Sequence, residues 1–118
     1  MSSILLFVYG TLKRGCRGHG WLAGQEWMGS AKTLPHYRLH DSGCYPCLVR
    51  DLEHGVLIHG ELWRVLSNDL KRLDAYEGAP ELFRRDRIEV EGIDELVFAY
   101  FFEGDVSKYA DCGTEWRS

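Results

Sequence analysis

Apolar and polar positions fall into blocks along this chain, and the blocks separate a set of strands from one convincing helix. Residues 4–9 (ILLFVY) are six consecutive strand formers ending at Gly10. A run that short and that uniformly apolar predicts a buried strand. Glycines at 15, 18, 20 and 24 interrupt any periodic pattern, which predicts a loop with one short helical turn around Trp21 and Leu22. Within 27–40 the alternation is poor, and AKTLPHYRLH (31–40) predicts two edge-strand pieces divided at Pro35, because proline removes a ladder donor. VLIHGELWRVL (56–66) is the clearest long strand and is expected at the centre of the sheet. Its Gly60 marks a bulge or a place where another backbone or a ligand comes close.

The helix is predicted over 67–77. Ser67 or Asn68 can cap its start, Asp69 suits the positive end of the dipole, and Gly78 followed by Pro80 closes it. RRDRIEVEG (84–92) and ELVFAYFFEG (95–104), joined through EGID, predict an antiparallel hairpin, and the tail from Gly104 reads as irregular. Strands that mostly follow one another, with one good helix, predict an α+β fold with a highly curved or closed sheet. No repeat, linker or low-complexity segment divides residues 1–118, so a single domain is expected.

Composition narrows the function classes. With 118 residues, 45% of them hydrophobic, the chain can bury a core without staples. A net charge of −4 argues against nucleic acid and anionic membranes as partners, since both are held mainly through Lys and Arg. No apolar run approaches the ~20 residues that span a bilayer. ILLFV lacks a positive n-region and is followed by Lys13 and Arg14, so it does not read as a signal peptide. The expectation is a cytoplasmic protein whose Cys16, Cys44, Cys47 and Cys112 are thiols.

Four segments are candidates for chemistry. GTLKRGCR (10–17) imitates a phosphate-binding loop, but Cys16 and Arg17 stand where Lys and a hydroxyl residue are needed. HYRLHDSGCYPC places His36, His40, Cys44 and Cys47 at spacings zinc can use. All four crowd into one segment, however, and thiols packed as small hydrophobes are the simpler reading. A redox pair at Cys44 and Cys47 would need a following helix, whereas LVRDLEHG reads as a strand and turn. A zinc-stabilised domain built on His36, His40, Cys44 and Cys47 stays open as a further reading.

Glu77 is more informative. Leu66, Leu70, Leu73 and Glu77 share one helical face, with Lys71 and Arg72 opposite, so a carboxylate ends an apolar stripe. Desolvation and the negative end of the helix dipole both predict a raised pKa, which suits a general acid/base. The alternatives are a frayed end in solvent or a pair with an arginine such as Arg84. The fourth segment is Tyr9-Gly10-Thr11-Leu12, either a plain strand end and turn or a loop aiming backbone N–H groups at an anion, with the Thr11 hydroxyl and the Tyr9 phenol in reach.

VYGTLKRG (8–15), YPCLV (45–49), VLIHGELWRV (56–65), LDAYEG (73–78) and VFAYFF (97–102) together resemble the γ-glutamylcyclotransferase-like, or AIG2-like, family. The resemblance spans nearly the whole chain and implies a small, β-barrel-like α+β fold with a central cavity. It implies a cofactor-independent release of 5-oxoproline from a small γ-glutamyl compound, by attack of the substrate's α-amino group on its γ-amide carbonyl. On that model Glu77 is the acid/base, Tyr9, Gly10, Thr11 and Leu12 hold the glutamyl part, and Tyr100 binds substrate. Tyr45-Pro46 forms a cavity wall, and Lys13 and Arg14 are a solvated rim. The YGTLKRG form is nearer to the branch acting on γ-glutamylamines. Where the family commonly has a tyrosine before an arginine, this chain has Phe83-Arg84, so that phenol is missing. The alternative is a non-catalytic module of the same fold that binds a small carboxylate or a protein.

Overall fold

The computed structural model describes residues 2–117. In chain order the elements are β1 (Ser3–Val8), a 3-10 turn (His19–Leu22), β2 (Glu26–Lys32), β3 (Tyr37–Asp41), β4 (Pro46–Arg50) and β5 (His59–Leu66). A second 3-10 turn (Ser67–Asp69) leads into α1 (Leu70–Glu77), followed by β6 (Phe83–Ile88), β7 (Val97–Phe102) and β8 (Ala110–Asp111). A five-stranded sheet has the order β2-β5-β1-β7-β6, and a three-stranded sheet the order β4-β3-β8. β1 and β7 run parallel, with Leu5 opposite Val97 and Leu6 opposite Phe98; the other paired strands are antiparallel.

β1 lies at the centre of the larger sheet, and its unbroken apolar run follows from burial on both faces. Leu5 and Phe7 join Leu39 and Leu48 of the smaller sheet in one core. Leu6 and Val8 join Leu70 and Leu73 of α1 in a second core on the opposite side. The molecule is therefore layered as small sheet, large sheet and helix, an α+β arrangement.

The larger sheet is not a closed barrel. Its two edges, β2 and β6, run on into segments that meet at a single antiparallel bridge, Thr33 with Val90. Leu34 donates to the Glu89 carbonyl at 3.0 Å and Glu91 to the Lys32 carbonyl at 2.9 Å. Pro35, without an N–H, follows directly and cannot extend the ladder.

Several expectations are corrected. β5 is second from an edge, and the middle place belongs to β1, which is buried without a break from Leu5 to Val8. A Cβ at Gly60 would lie 2.4 Å from the Val8 carbonyl oxygen and 2.6 Å from the Phe7 ring, so a close approach explains this glycine. Gly60 faces Ala31, and the ladder irregularity lies further along, between Trp27 and Gly29 of β2, opposite Trp63 and Leu62. β3 is no edge strand, since the two-residue β8 pairs on its far side. That strand also means the tail is not wholly irregular; Trp116 is buried, and Lys13 Nζ donates to its carbonyl at 2.8 Å. Lys13 is thus an anchor for the C-terminal segment rather than a solvated rim, while Arg14 is exposed, pairs with Glu61 and lies over the Trp27 ring.

The helix closes as its sequence predicts, with Gly78 at φ 70° donating to Ala75 and Asp74 kept near by a bond from Ala79 to its carbonyl. Its start differs. No side chain of Ser67 or Asn68 caps it; Gln25 instead accepts the Leu66 N–H at 2.9 Å and donates to Asp69 at 2.7 Å. The β6–β7 hairpin forms, with Ile88 opposite Val97. No helix among the described residues is long and apolar enough to cross a membrane.

Candidate active site

The chain leaves β1 at Val8 and turns immediately, with Lys13 N–H bonded to the Gly10 carbonyl at 3.0 Å. Gly10 is obligatory here for packing, because a Cβ would meet Cγ of Pro46 at 2.5 Å. A proline ring cannot swing aside, so the loop and the start of β4 touch backbone to ring. Tyr9 is buried, its hydroxyl donates to the Tyr100 carbonyl, and the Leu48 N–H bonds to the same oxygen. Burial first, and then the neighbouring Glu77 carboxylate, raise the Tyr9 pKa well above the usual value. The phenol is therefore a fixed cross-link rather than a free hydroxyl.

Thr11 is likewise engaged. Its Oγ1 lies 3.0 Å from the hydroxyl of Tyr76 on α1, whose ring packs against Trp21 with centroids 5.4 Å apart. This bond ties the loop to the residue next to Glu77. Among the described residues the N–H groups of Gly10, Thr11 and Leu12 have no acceptor.

The helix, the loop and the sheet line a narrow recess that opens to solvent. Tyr9, Gly10, Thr11, Leu12, Glu77 and Tyr100 all line it, so the six site residues read from the sequence converge on one place. Tyr45 and Pro46 form part of the wall, and Phe83 stands in it as well. Tyr45 and Phe83 contact edge to face, with ring centroids 5.6 Å apart.

Glu77 is the last residue of α1, and its carboxylate turns into the recess. It makes no hydrogen bond or ion pair among the described residues. Arg84, the partner considered above, pairs with Asp86 and Glu103 on the outer face of β6. Burial pushes the Glu77 pKa up to about 7 from an ordinary 4.5. The residue as a whole is half-buried, yet its acidic group is the part withdrawn from water. Such a group can take and return a proton near neutrality.

Two charged residues beside the recess were missed. Asp74, one helical turn before Glu77, accepts the Tyr100 hydroxyl at 2.7 Å and two N–H bonds from Arg85 at 2.9 and 3.1 Å. Burial would raise the Asp74 pKa, but these bonds outweigh it and hold the carboxyl below its usual value. Burial and the bond to Asp74 raise Tyr100. Both residues had a sequence signal. Asp74 precedes Glu77 by three within LDAYEG, and Arg85 alternates in phase with the inward Phe83 while Arg84 points out.

The residues weighed for zinc are spread out. His36 bonds Glu89 at 2.6 Å, Cys44 is exposed, and Cys47 is fully buried opposite His40 in the β3–β4 ladder. Burial raises the Cys47 thiol to about 12, the behaviour of a packed sulfur. Among the described residues no three His, Cys, Asp or Glu side chains converge to hold a metal ion.

The family model "Gamma-glutamyl cyclotransferase, AIG2-like" matches residues 6–118, and the chain belongs to that family. A Vibrio cholerae protein named "Putative gamma-glutamylcyclotransferase" is 41% identical over 85 residues, which cover 72% of this chain and 71% of that one. Human gamma-glutamylaminecyclotransferase is 33% identical over 98 residues, covering 77% of this chain and 64% of the human one. Among solved structures, a protein specific to uropathogenic E. coli superposes with a TM-score of 0.85 at 24% identity, over 99% of this chain and 94% of that one. That last likeness concerns the fold alone.

Proposed function

We propose that the protein is a γ-glutamyl cyclotransferase that converts γ-glutamylamines to 5-oxoproline and a free amine, with Glu77 as the acid/base. The observation that carries this reading is an unpaired carboxylate with a pKa of about 7 in the same recess as the Tyr9–Leu12 loop. Ionised Glu77 takes a proton from the substrate's α-ammonium group. The amine nitrogen then attacks the γ-amide carbonyl carbon and forms the five-membered ring. Protonated Glu77 returns its proton to the leaving nitrogen as that carbon–nitrogen bond breaks. The ring nitrogen gives up its second proton through Glu77 to the released amine, which departs as an ammonium ion; atoms and charge then balance without added water, and catalysis is folding the substrate into an attack geometry and moving two protons.

The unused N–H groups of Gly10, Thr11 and Leu12 suit the glutamyl α-carboxylate or the developing oxyanion. The remaining lining is aromatic and apolar, with Tyr45, Pro46 and Phe83 on one side. Such a wall favours a leaving amine that carries no carboxylate of its own. Phe83 stands where a phenol was expected from the family pattern, which adds to the apolar character.

The test is formation of 5-oxoproline from a panel of γ-glutamylamines and γ-glutamyl amino acids. Turnover of the amines is expected to exceed that of the amino acids, and Glu77→Gln to lower it at least about a hundredfold. Because the base form is required at the start, kcat/KM is expected to rise with pH through about 7. Undiminished turnover in Glu77→Gln, or a rise centred near the ordinary glutamate value, overturns the mechanism.

A further inference from the structure

Three side chains next to Glu77 take no part in the proton transfer just described: Asp74 on α1, Arg85 on β6 and Tyr100 on β7. The two-pronged contact from Arg85 fixes the plane of the Asp74 carboxylate. That carboxylate in turn receives the phenolic proton of Tyr100. The Tyr100 oxygen, with its one proton committed, has only lone pairs left for any further partner. At the wall of the recess it can therefore accept a hydrogen bond but not donate one. In a γ-glutamyl substrate two groups need an acceptor, the charged α-amino group and the amide N–H, and the charged one gains more from it; the α-carboxylate and the amide carbonyl need donors.

Charge gives a second, independent constraint. The ionisable groups facing Glu77 are Tyr9 at the end of β1, Tyr45 before β4 and Tyr100 on β7, with Asp74 on its own helix and Arg85 behind Asp74. The three phenols have pKa values raised by burial and stay neutral. Asp74 and Arg85 are bound to each other as a net-neutral pair. Burial is the cause that shifts Glu77.

We propose that the Asp74–Arg85 ion pair is a positioning element of this site: it orients the Tyr100 hydroxyl as an acceptor for the substrate's α-amino group and sets a net-neutral neighbour beside Glu77. The first half rests on the cyclotransferase reading; the second half does not require turnover. Asp74 and Arg85 act through Tyr100 and Glu77 and touch no reacting atom. Removing either charge exposes the other, so the two single variants must move Glu77 in opposite directions. A merely structural pair would not do this.

The experiment follows the Glu77 carboxyl by carbon-detected NMR titration of protein labelled at glutamate, with Glu77→Gln assigning the signal. In Asp74→Asn the unbalanced Arg85 cation favours the Glu77 anion, and the midpoint is expected to fall by about one pH unit. In Arg85→Gln the unbalanced Asp74 anion is expected to raise it by about the same amount. Arg85→Lys keeps the charge and is expected to keep the midpoint. Equal midpoints in all variants, or a shift in the same direction in both charge-removing variants, overturn the electrostatic half. If Asp74→Asn does not fold, the contrast between Arg85→Gln and Arg85→Lys decides the matter.

The positioning half is read in kinetics with a γ-glutamylamine. Tyr100→Phe is expected to lower kcat/KM about tenfold, the loss of one hydrogen bond to a charged group, while leaving the Glu77 midpoint in place. Unchanged kcat/KM overturns it. A wild-type protein that turns over no γ-glutamyl compound would overturn the cyclotransferase reading and this half with it, whereas the titration would still decide the other half.

Discussion

Glu77 is held in a state that works against the fold. An acid whose native pKa lies above its unfolded one binds more protons in the native state, so its contribution to stability is complete below the ordinary 4.5 and is lost as pH rises through about 7. At 1.36 kcal/mol per pH unit, and allowing for water at the mouth of the recess, this loss is about 2–3 kcal/mol. Glu77→Gln removes the charge without removing volume. It is expected to be more stable than wild type by about that amount in urea denaturation at pH 8, and equally stable at pH 4. Equal stability at both values would mean that the carboxylate is not desolvated. The same residue was the most legible part of the site in the sequence, because helical spacing singles out a carboxylate that ends an apolar stripe, although a frayed end or a pair with Arg84 stayed open until the fold placed Arg84 with Asp86 and Glu103. Thr11 was less legible: its hydroxyl reads as a ligand group from its loop, and only the fold reveals that Tyr76 already occupies it.

At the scale of elements, the junction between β5 and α1 is where local reading fails for an identifiable reason. Ser67 and Asn68 have the chemistry of caps, yet residues 67–69 are wound as a 3-10 turn and their side chains are not used. Gln25, far away in sequence, completes the junction from the loop before β2. Gln25→Ala is expected to destabilise the protein by about 1–2 kcal/mol, the range for a lost cap, and to increase hydrogen exchange in the first turn of α1. A change below experimental error would show the junction to be held by packing alone. The end of α1 was legible because Gly78 and Pro80 act within their own segment. The bounds of β1 were legible to a residue, whereas β5 starts at His59, after the start of its predicted run, β6 stops at Ile88, before the end of its own, and β2 begins at Glu26, well ahead of the expected edge piece; the two-residue β8 has no pattern long enough to announce itself.

At the scale of the molecule, what the sequence could not disclose is the order of strands. Strand formers declare that they pair, and the β6–β7 hairpin declares its partner through a connection, but nothing local says that β1 lies between β5 and β7. The Tyr9–Tyr100 bond joins residues 91 positions apart, and the parallel β1–β7 pair, Leu5 with Val97, is comparably distant in sequence. Contacts of that separation are formed against a large loss of chain entropy, so refolding on the order of milliseconds to seconds is expected, rather than microseconds. If the site needs that pairing, activity regained after dilution from denaturant should follow the slowest tryptophan-fluorescence phase and not precede it. Earlier recovery would mean that the recess forms without β7. The position of β7 also has a consequence for the nascent chain. While the polypeptide is being made, Glu77 emerges after the loop and Tyr45 but before Phe83 and Tyr100, which complete the lining of its recess. Its full desolvation is expected only when the seventh strand arrives, so an unfinished chain carries the residue without the whole of the property that would make it useful.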